Sequence, residues 1–477
     1  MLSATSCVDS LKEYNVDPKS AIVVPGSALI STAERSLTRL VTSTSVNNNP
    51  FRLYVQYWSE TTYFDEDIYD IETRTINRSF WDAMYSGIGP ADSPSPGVLV
   101  NLKEAQRLID ADVLLDAKTK ANQKAAAEIL TVYAYSTLVN TFGDVPYSEA
   151  LDTSTPLPKY DDAATIYTDL FTRLDAAIAA LDPTAKGLGD ADLIYKGDVA
   201  KWIKFGHSLK LRMAMTIADV DAAKSQALVA QAVGKTFTSN ADNASVTFTG
   251  SSPNTNPLYE QLVQSGRNDF IGAATFINRL NTLNDPRRSY FFKEVGTAGG
   301  FKGGITGQGN TYSSFSAPGA ALEDPTLPGV LLSYPEVEFL LAEGKARGVA
   351  AIPGTVESHY DAAVTASILS FGGSAAEATA YLAQPSVAYA TADGATYKEK
   401  IGVQKWIALY DQPVEAWKEV RRLDAPRIIA PASALSVFPV RFPYPTTEKS
   451  LNKANNSVAA AAIGGDVVGT KLFWDKF

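Results

Sequence analysis

Apolar residues recur along most of the chain at the three- and four-residue spacing of an amphipathic helix. Leu29, Ala33, Leu37 and Leu40 form one such stripe, and Leu99, Leu102, Ala105, Leu108 and Ile109 form another. Residues 120–142 place Ile129, Val132, Tyr133 and Val139 on one face; Gly143 then offers an easy left-handed C-cap, and Pro146 prevents the helix from resuming. Asp161 and Asp162 stand where an N-cap is needed for the stripe of Ile166, Leu170, Leu174, Ala177, Ile178 and Leu181, which Pro183 closes. Trp202, Phe205, Leu209, Met213 and Ile217 predict a helix over 199–217. Residues 335–348 and 355–371 read as an antiparallel helical pair, and 397–423 as a helical stretch broken at Pro413. Asn47-Asn48-Asn49-Pro50 ends the first helix, and the alternation over 244–249 predicts a strand. Residues 296–329, rich in Gly, Ser, Thr and Pro, are too long for a plain connector and read as a functional or disordered loop. The pattern therefore predicts a mainly α fold of helical hairpins similar to tetratricopeptide units, with long irregular loops and minor β structure. A strict repeat of about 34 residues is absent.

With 477 residues the chain exceeds one ordinary core, which leaves two domains, one helical array, or one fold with long insertions. Hydrophobic residues at 45% and charged residues at 20% describe a globular protein with a substantial core. The net charge of −10, without a dense Lys/Arg cluster, makes nucleic acid a poor partner, because binding it needs basic side chains to displace counterions. The 22 Tyr, 20 Phe and 6 Trp suit ligands with apolar faces and hydroxyl rims, although most such rings serve a core.

Cys7 is the one cysteine, so no internal disulfide forms. Ala4-Thr5-Ser6-Cys7 resembles the end of a bacterial lipoprotein signal, in which the cysteine becomes the lipidated first residue. On that reading residues 1–7 are a signal remnant. No apolar run reaches the roughly 18 residues of a membrane span, so any anchor would be a lipid on Cys7.

Familiar catalytic patterns fail one by one. Gly299 and Gly304 have the interval of a phosphate loop, yet Ile305-Thr306 follow where Lys and Ser/Thr are required. No helix-opening G-x-G-x-x-G supports a dinucleotide cofactor. The two histidines, His207 and His359, lie far apart in helical patterns and offer neither a zinc set nor a nucleophile elbow. Asp65-Glu66-Asp67-Ile68-Tyr69-Asp70 has Asp70 where a calcium loop needs its turn glycine, and reads as a solvated acidic loop. The sequence thus predicts no catalytic residue, no metal and no cofactor, though a spatial pair of carboxylates fit for glycoside hydrolysis stays open.

Asn140-Thr141-Phe142-Gly143-Asp144-Val145-Pro146-Tyr147-Ser148-Glu149-Ala150 is similar to a signature of the SusD/RagB proteins. Lys201-Trp202-Ile203-Lys204-Phe205, Ser208-Leu209-Lys210-Leu211-Arg212, Asn284-Asp285-Pro286-Arg287 and the block over 334–343 extend the likeness in order along the chain. Tyr14-Asn15-Val16-Asp17-Pro18 and Phe442-Pro443-Tyr444-Pro445, with Glu448 and Asn452, complete it. Pro335 and Gly344 depart from the family's usual alanines and are expected to loosen their helix.

The resemblance implies one nutrient-binding domain over 8–477, with a helical scaffold and a loop-rich ligand face. It implies an outer-membrane lipoprotein facing the exterior, with a TonB-dependent transporter of the SusC type as partner. The ligand would be an oligosaccharide, or a peptide as in some members, bound without cleavage. Rings on loops stack on sugars while amides and carboxylates bond hydroxyls. The expected ligand residues are Trp58, Tyr63, Phe64, Asn268, Asp269, Tyr312 and Phe315. A helical glycosidase and a scaffold for a protein partner are the rival readings.

Overall fold

The computed structural model describes residues 24–71, 73–88, 95–296 and 299–476. Cys7 and residues 14–18 lie outside them. The helices of eight or more residues are α1 (Gly26–Thr42), α2 (Ile76–Met84), α3 (Val98–Ala111), α4 (Ala117–Phe142), α5 (Ala163–Ala180), α6 (Val199–Thr216) and α7 (Ala222–Ala232). They continue with α8 (Ala274–Thr282), α9 (Tyr334–Ala346), α10 (Val356–Ser370), α11 (Ala375–Leu382), α12 (Tyr397–Ala408), α13 (Pro413–Leu423) and α14 (Lys453–Ala462). The fold is mainly α. Consecutive helices pack as hairpins, α4 on α5, α6 on α7, α9 on α10 and α12 on α13, while α1 lies against α3.

The apolar stripes explain the packing. Ile30, Ala33, Leu37 and Leu40 of α1 are buried, and Gly26 lets the helix approach α3 so closely that a Cβ would come within 2.6 Å of the Ala105 carbonyl oxygen. Helix α4 starts three residues before the predicted stretch because Asp116 caps it, accepting from the Lys118 and Thr119 amides. From Ile129 to Val139 it is buried all round, as a central helix is, and the hydroxyls of Thr131, Ser136 and Thr137 donate to carbonyls of their own helix.

The signature after α4 is a turn device. Gly143 has φ 88°, and Asp144 accepts from the Ala163 amide at 2.9 Å. Val145–Pro146 (β4) pairs antiparallel with Tyr160–Asp161 (β5) and aims the chain into α5. Asp162 caps that helix through the Thr165 amide at 2.7 Å, while Asp161 instead accepts from the Ser148 amide.

Two further sequence blocks meet as buried ion pairs. Arg212 of α6 grips both oxygens of Glu336 of α9 at 2.6 Å. Arg422 of α13 pairs with Glu343 of α9 and Glu419, and Lys405 of α12 pairs with Glu419. Asp285 and Arg287 form a further pair at 2.6 Å, and Arg287 also donates to Gln404 of α12. Such pairs fix the relative seating of four helices, since a charge left alone there would be uncompensated. Pro335 does not loosen α9: it occupies the first turn, where its missing N–H costs nothing. Gly344 is filled by a neighbour, with Ile352 Cδ1 2.6 Å from where a Cβ would stand.

Among the described residues the β component is four two-stranded ribbons. Ala244–Val246 (β6), within the predicted strand, pairs with Gly329–Leu332 (β8). Trp58–Glu60 (β1) pairs antiparallel with Phe270–Gly272 (β7), Trp58 opposite Gly272 and Glu60 opposite Phe270. The remaining ribbon joins Gly87–Ile88 (β2) to Ser95–Pro96 (β3). Among the described residues no helix is long and apolar enough to cross a membrane.

Candidate functional site

The β1/β7 ribbon gathers three loops. Beyond β1, the Thr61 amide donates to the Asp269 carbonyl at 2.9 Å and its hydroxyl to the Asn268 carbonyl at 2.7 Å. The Asn310 amide then donates to the Thr61 carbonyl at 3.0 Å, and its side-chain amide bridges the Glu60, Ile305 and Gln308 carbonyls. The segments around residues 61–70, 265–269 and 304–310 therefore form one face. Ser433 joins a fourth segment to it through the Gly307 carbonyl at 2.6 Å, and the Leu435 amide does so through the Ile68 carbonyl.

On this face Tyr63 is 69% exposed, with φ 58°, a left-handed conformation that a tyrosine adopts only when its surroundings hold it. The Arg267 guanidinium lies 5.9 Å from its ring centre and is itself held by Asp269 at 2.5 Å. Asn268 is exposed and Phe64 half-buried beside them in sequence. An exposed ring, a cation and a carboxylate are thus presented together, a combination suited to stacking and hydrogen bonding.

Tyr312 and Phe315 lie farther along the long loop and carry their own cations. Tyr312 opens a short 3₁₀ turn near the Lys293–Glu323 ion pair, and the Lys302 ammonium sits 5.0 Å from the Phe315 ring centre. Both rings are half-buried.

Trp58 corrects the sequence expectation of an exposed loop ring. It is 0% exposed on β1, donates its indole N–H to the Tyr410 hydroxyl at 2.7 Å and packs on Phe270 and the Arg52 guanidinium. Its alternation partner Tyr57 is equally buried, so this ribbon is covered on both faces and no period-two signal marks an outer side. Trp58 is a core residue beneath the face.

The acidic run is also corrected, since half of it is buried rather than solvated. Asp67 turns inward and accepts from the Ser59 hydroxyl at 2.6 Å and from the Glu60 and Gly307 amides at 2.9 and 3.3 Å, tying β1 to two loops. Glu60 accepts from the Asp67 amide at 3.2 Å, and Glu66 pairs with Arg74 at 3.1 Å. Burial, reinforced by Asp67 and Glu66, pushes Glu60 up to about 11. Burial also raises Asp67 to about 6 and raises Glu66 against the pull of Arg74. These shifts favour a protonated Glu60, and the cluster braces β1 against the loop that carries Tyr63. Among the described residues no group of three or more His, Cys, Asp or Glu is arranged to hold a metal ion.

The two histidines differ in their surroundings. His359 Nδ1 lies 2.6 Å from Glu338, which raises its pKa, and burial lowers His207 to about 4. Trp202 packs in the core and donates to Asp192. Sequence reasoning missed Arg267 and Asn310. The polar run Arg267-Asn268-Asp269 could have pointed to the first, whereas nothing local singles out Asn310, which acts through three distant carbonyls.

A family described as "Starch-binding associating with outer membrane", the SusD-like_2 family, matches residues 18–445. Among solved structures, a SusD homologue from Bacteroides uniformis is 25% identical with a TM-score of 0.79, covering 94% of this chain and 99% of its own. A Bacteroidetes SusD-like protein is 23% identical with a TM-score of 0.79, covering 95% of this chain and 100% of its own. A chitin-binding SusD homologue from Flavobacterium johnsoniae is 23% identical with a TM-score of 0.76, covering 94% of this chain and 98% of its own. No curated protein sequence matches. The ordered signature blocks, the hairpin scaffold they assemble and a family match over residues 18–445 lead to one assignment: this chain belongs to the SusD-like family.

Proposed function

We propose that the protein captures oligomeric nutrients, specifically glycans, at the cell surface without cleaving them and delivers them to a TonB-dependent transporter of the SusC type. The observation that carries this reading is the meeting of exposed Tyr63 with Arg267, Asn268 and Asp269 on a face braced from below. A sugar's C–H face stacks on the ring while the guanidinium and carboxylate bond its hydroxyls. Phe64, Tyr312 and Phe315 extend the ligand surface along the same loops. The family's description as starch-binding and a chitin-binding structural relative support a glycan over a peptide. Binding of this kind requires no cofactor or metal. A lipid on Cys7 would hold the protein on the outer membrane, facing outward, within reach of the transporter.

Calorimetric titration with starch- and chitin-derived oligosaccharides, alongside peptides, tests the reading. Binding without release of shorter products is expected, weakened roughly three- to tenfold by Tyr63→Ala. Binding of peptides alone, or turnover of a labelled oligosaccharide, would overturn it. For the anchor, the full-length precursor should partition into membranes and lose that property on Cys7→Ala; a soluble wild-type precursor would refute the lipid.

A further inference from the structure

A second concave site lies where α8 meets the segment after α13. Its volume is about 380 Å³, within the roughly 300–1,000 Å³ of small-ligand clefts. Arg279 of α8 and Arg427 both line it, and neither holds an ion pair or a side-chain hydrogen bond among the described residues. Arg279 is half-buried, so its charge is partly desolvated without a protein anion to compensate. Arg212, Arg287 and Arg422 in the core each grip a carboxylate, and buried Arg52 and Arg421 donate to carbonyls, whereas the Arg279 guanidinium faces the cavity with neither.

The other charges of the cavity are mostly spent or sit farther out. Lys400 donates to the Tyr389 and Ala390 carbonyls, and Glu399 is held in the capping box of Thr396. Asp424 is exposed and feels Lys398 and Lys471. Asp393 is exposed at the rim, and the Ser386 hydroxyl also lines the wall. Arg279 is therefore the half-buried charge of the cavity that has no partner, with exposed Arg427 beside it on the same lining and groups able to bond hydroxyls around them. The aromatic floor, Trp406, is buried and offers no platform for stacking a neutral sugar.

We infer that this cavity binds a carboxylate-bearing sugar unit, with Arg279 and Arg427 gripping the carboxylate and Asp393 and Ser386 accepting or donating to its hydroxyls. Arginine suits the task because its planar donors match a carboxylate in pairs. The cleft is tied to the candidate face: lining residue Thr275 donates to Gln56 Oε1, two residues before Trp58, and Gln56 donates to the Ile429 carbonyl, two residues after Arg427. The inference rests on the glycan reading above and specifies an acidic glycan as its ligand class.

Calorimetry with oligogalacturonate, its carboxyl-reduced counterpart and neutral starch and chitin oligosaccharides tests it. Oligogalacturonate should bind more weakly as salt rises, and by at least about tenfold more weakly after carboxyl reduction or Arg279→Gln. Arg279→Lys should fall between, and Arg427→Gln should add to the loss. The melting temperature of Arg279→Gln should stay at the wild-type value, because that side chain has no protein partner to lose. Equal affinity for oligogalacturonate and its reduced form, or an unchanged Arg279→Gln, overturns this inference. If neutral oligosaccharides then still bind in a Tyr63-dependent way, the capture function stands without it. If no oligosaccharide binds and a peptide with a free C-terminus binds through Arg279, both fail.

Discussion

Replacing Glu60 by glutamine should make the protein more stable at neutral pH. In the unfolded chain this carboxyl ionises near 4.5, whereas in the fold burial and its acidic neighbours hold it neutral up to about 11. Between those values the native state binds the extra proton, so stability is fullest below pH 4.5 and is eroded as pH rises. Each pH unit costs about 1.4 kcal/mol for one such group, so roughly 3 kcal/mol is forfeited between about pH 5 and 7. The amide of the Glu60→Gln variant would keep the side chain's shape and an oxygen for the Asp67 amide, now at 3.2 Å, with no proton to lose. Glu66 would retain Arg74 as its partner. Urea unfolding followed by tryptophan fluorescence should show the two proteins close near pH 4.5 and the variant ahead by up to about 3 kcal/mol near pH 7. Parallel pH–stability curves would refute the neutral Glu60, and a variant weaker at pH 7 would refute its placement against the other acids.

Trp58→Ala should lower stability by about 3–5 kcal/mol through the cavity it opens, with little change in glycan affinity beyond that loss of folded protein. Thermal unfolding and calorimetry on the same samples separate the effects; a large affinity loss at unchanged stability would return Trp58 to the ligand surface. Arg422→Met should cost about 3 kcal/mol because it removes the cation that Glu343 and Glu419 share in the core, leaving Glu343 to Arg347 and Glu419 to Lys405 and Lys418. Adding Glu343→Leu should recover part of that loss in chemical denaturation, and an undiminished penalty in the double variant would argue against the pair as its source.

The helices were legible in the sequence because each is a local matter of spacing and caps. The stripes of α1, α3, α5 and α6, the Asp162 cap and the break at Pro413 all follow from residues within a few positions of one another. Ordered motifs also carried the family, and with it the hairpin scaffold. The face was legible only in part. Tyr63, Asn268 and Asp269 were identifiable as polar or aromatic loop residues, but their meeting with Arg267 depends on the pairing of β1 with β7, separated by some two hundred positions. Trp58 differs from Tyr63 by a few positions, yet one is core and the other surface, because the ribbon under it is covered on both sides.

The same limit explains the acids and the arginines. A run of Asp and Glu is solvated unless the fold turns it inward, and whether Glu66 and Asp67 turn inward is decided by Arg74, Ser59 and the Gly307 amide. Arg279 resembles any surface arginine of an amphipathic helix until the segment after α13 closes a cavity over it and supplies no carboxylate to its guanidinium. What this sequence determined by itself was local: where helices start and stop, and which family's pattern they follow. Tertiary structure alone decided which charges are paired, which rings meet solvent and which guanidinium is left facing a cleft without an anion, because burial and electrostatics depend on neighbours that chain order does not reveal.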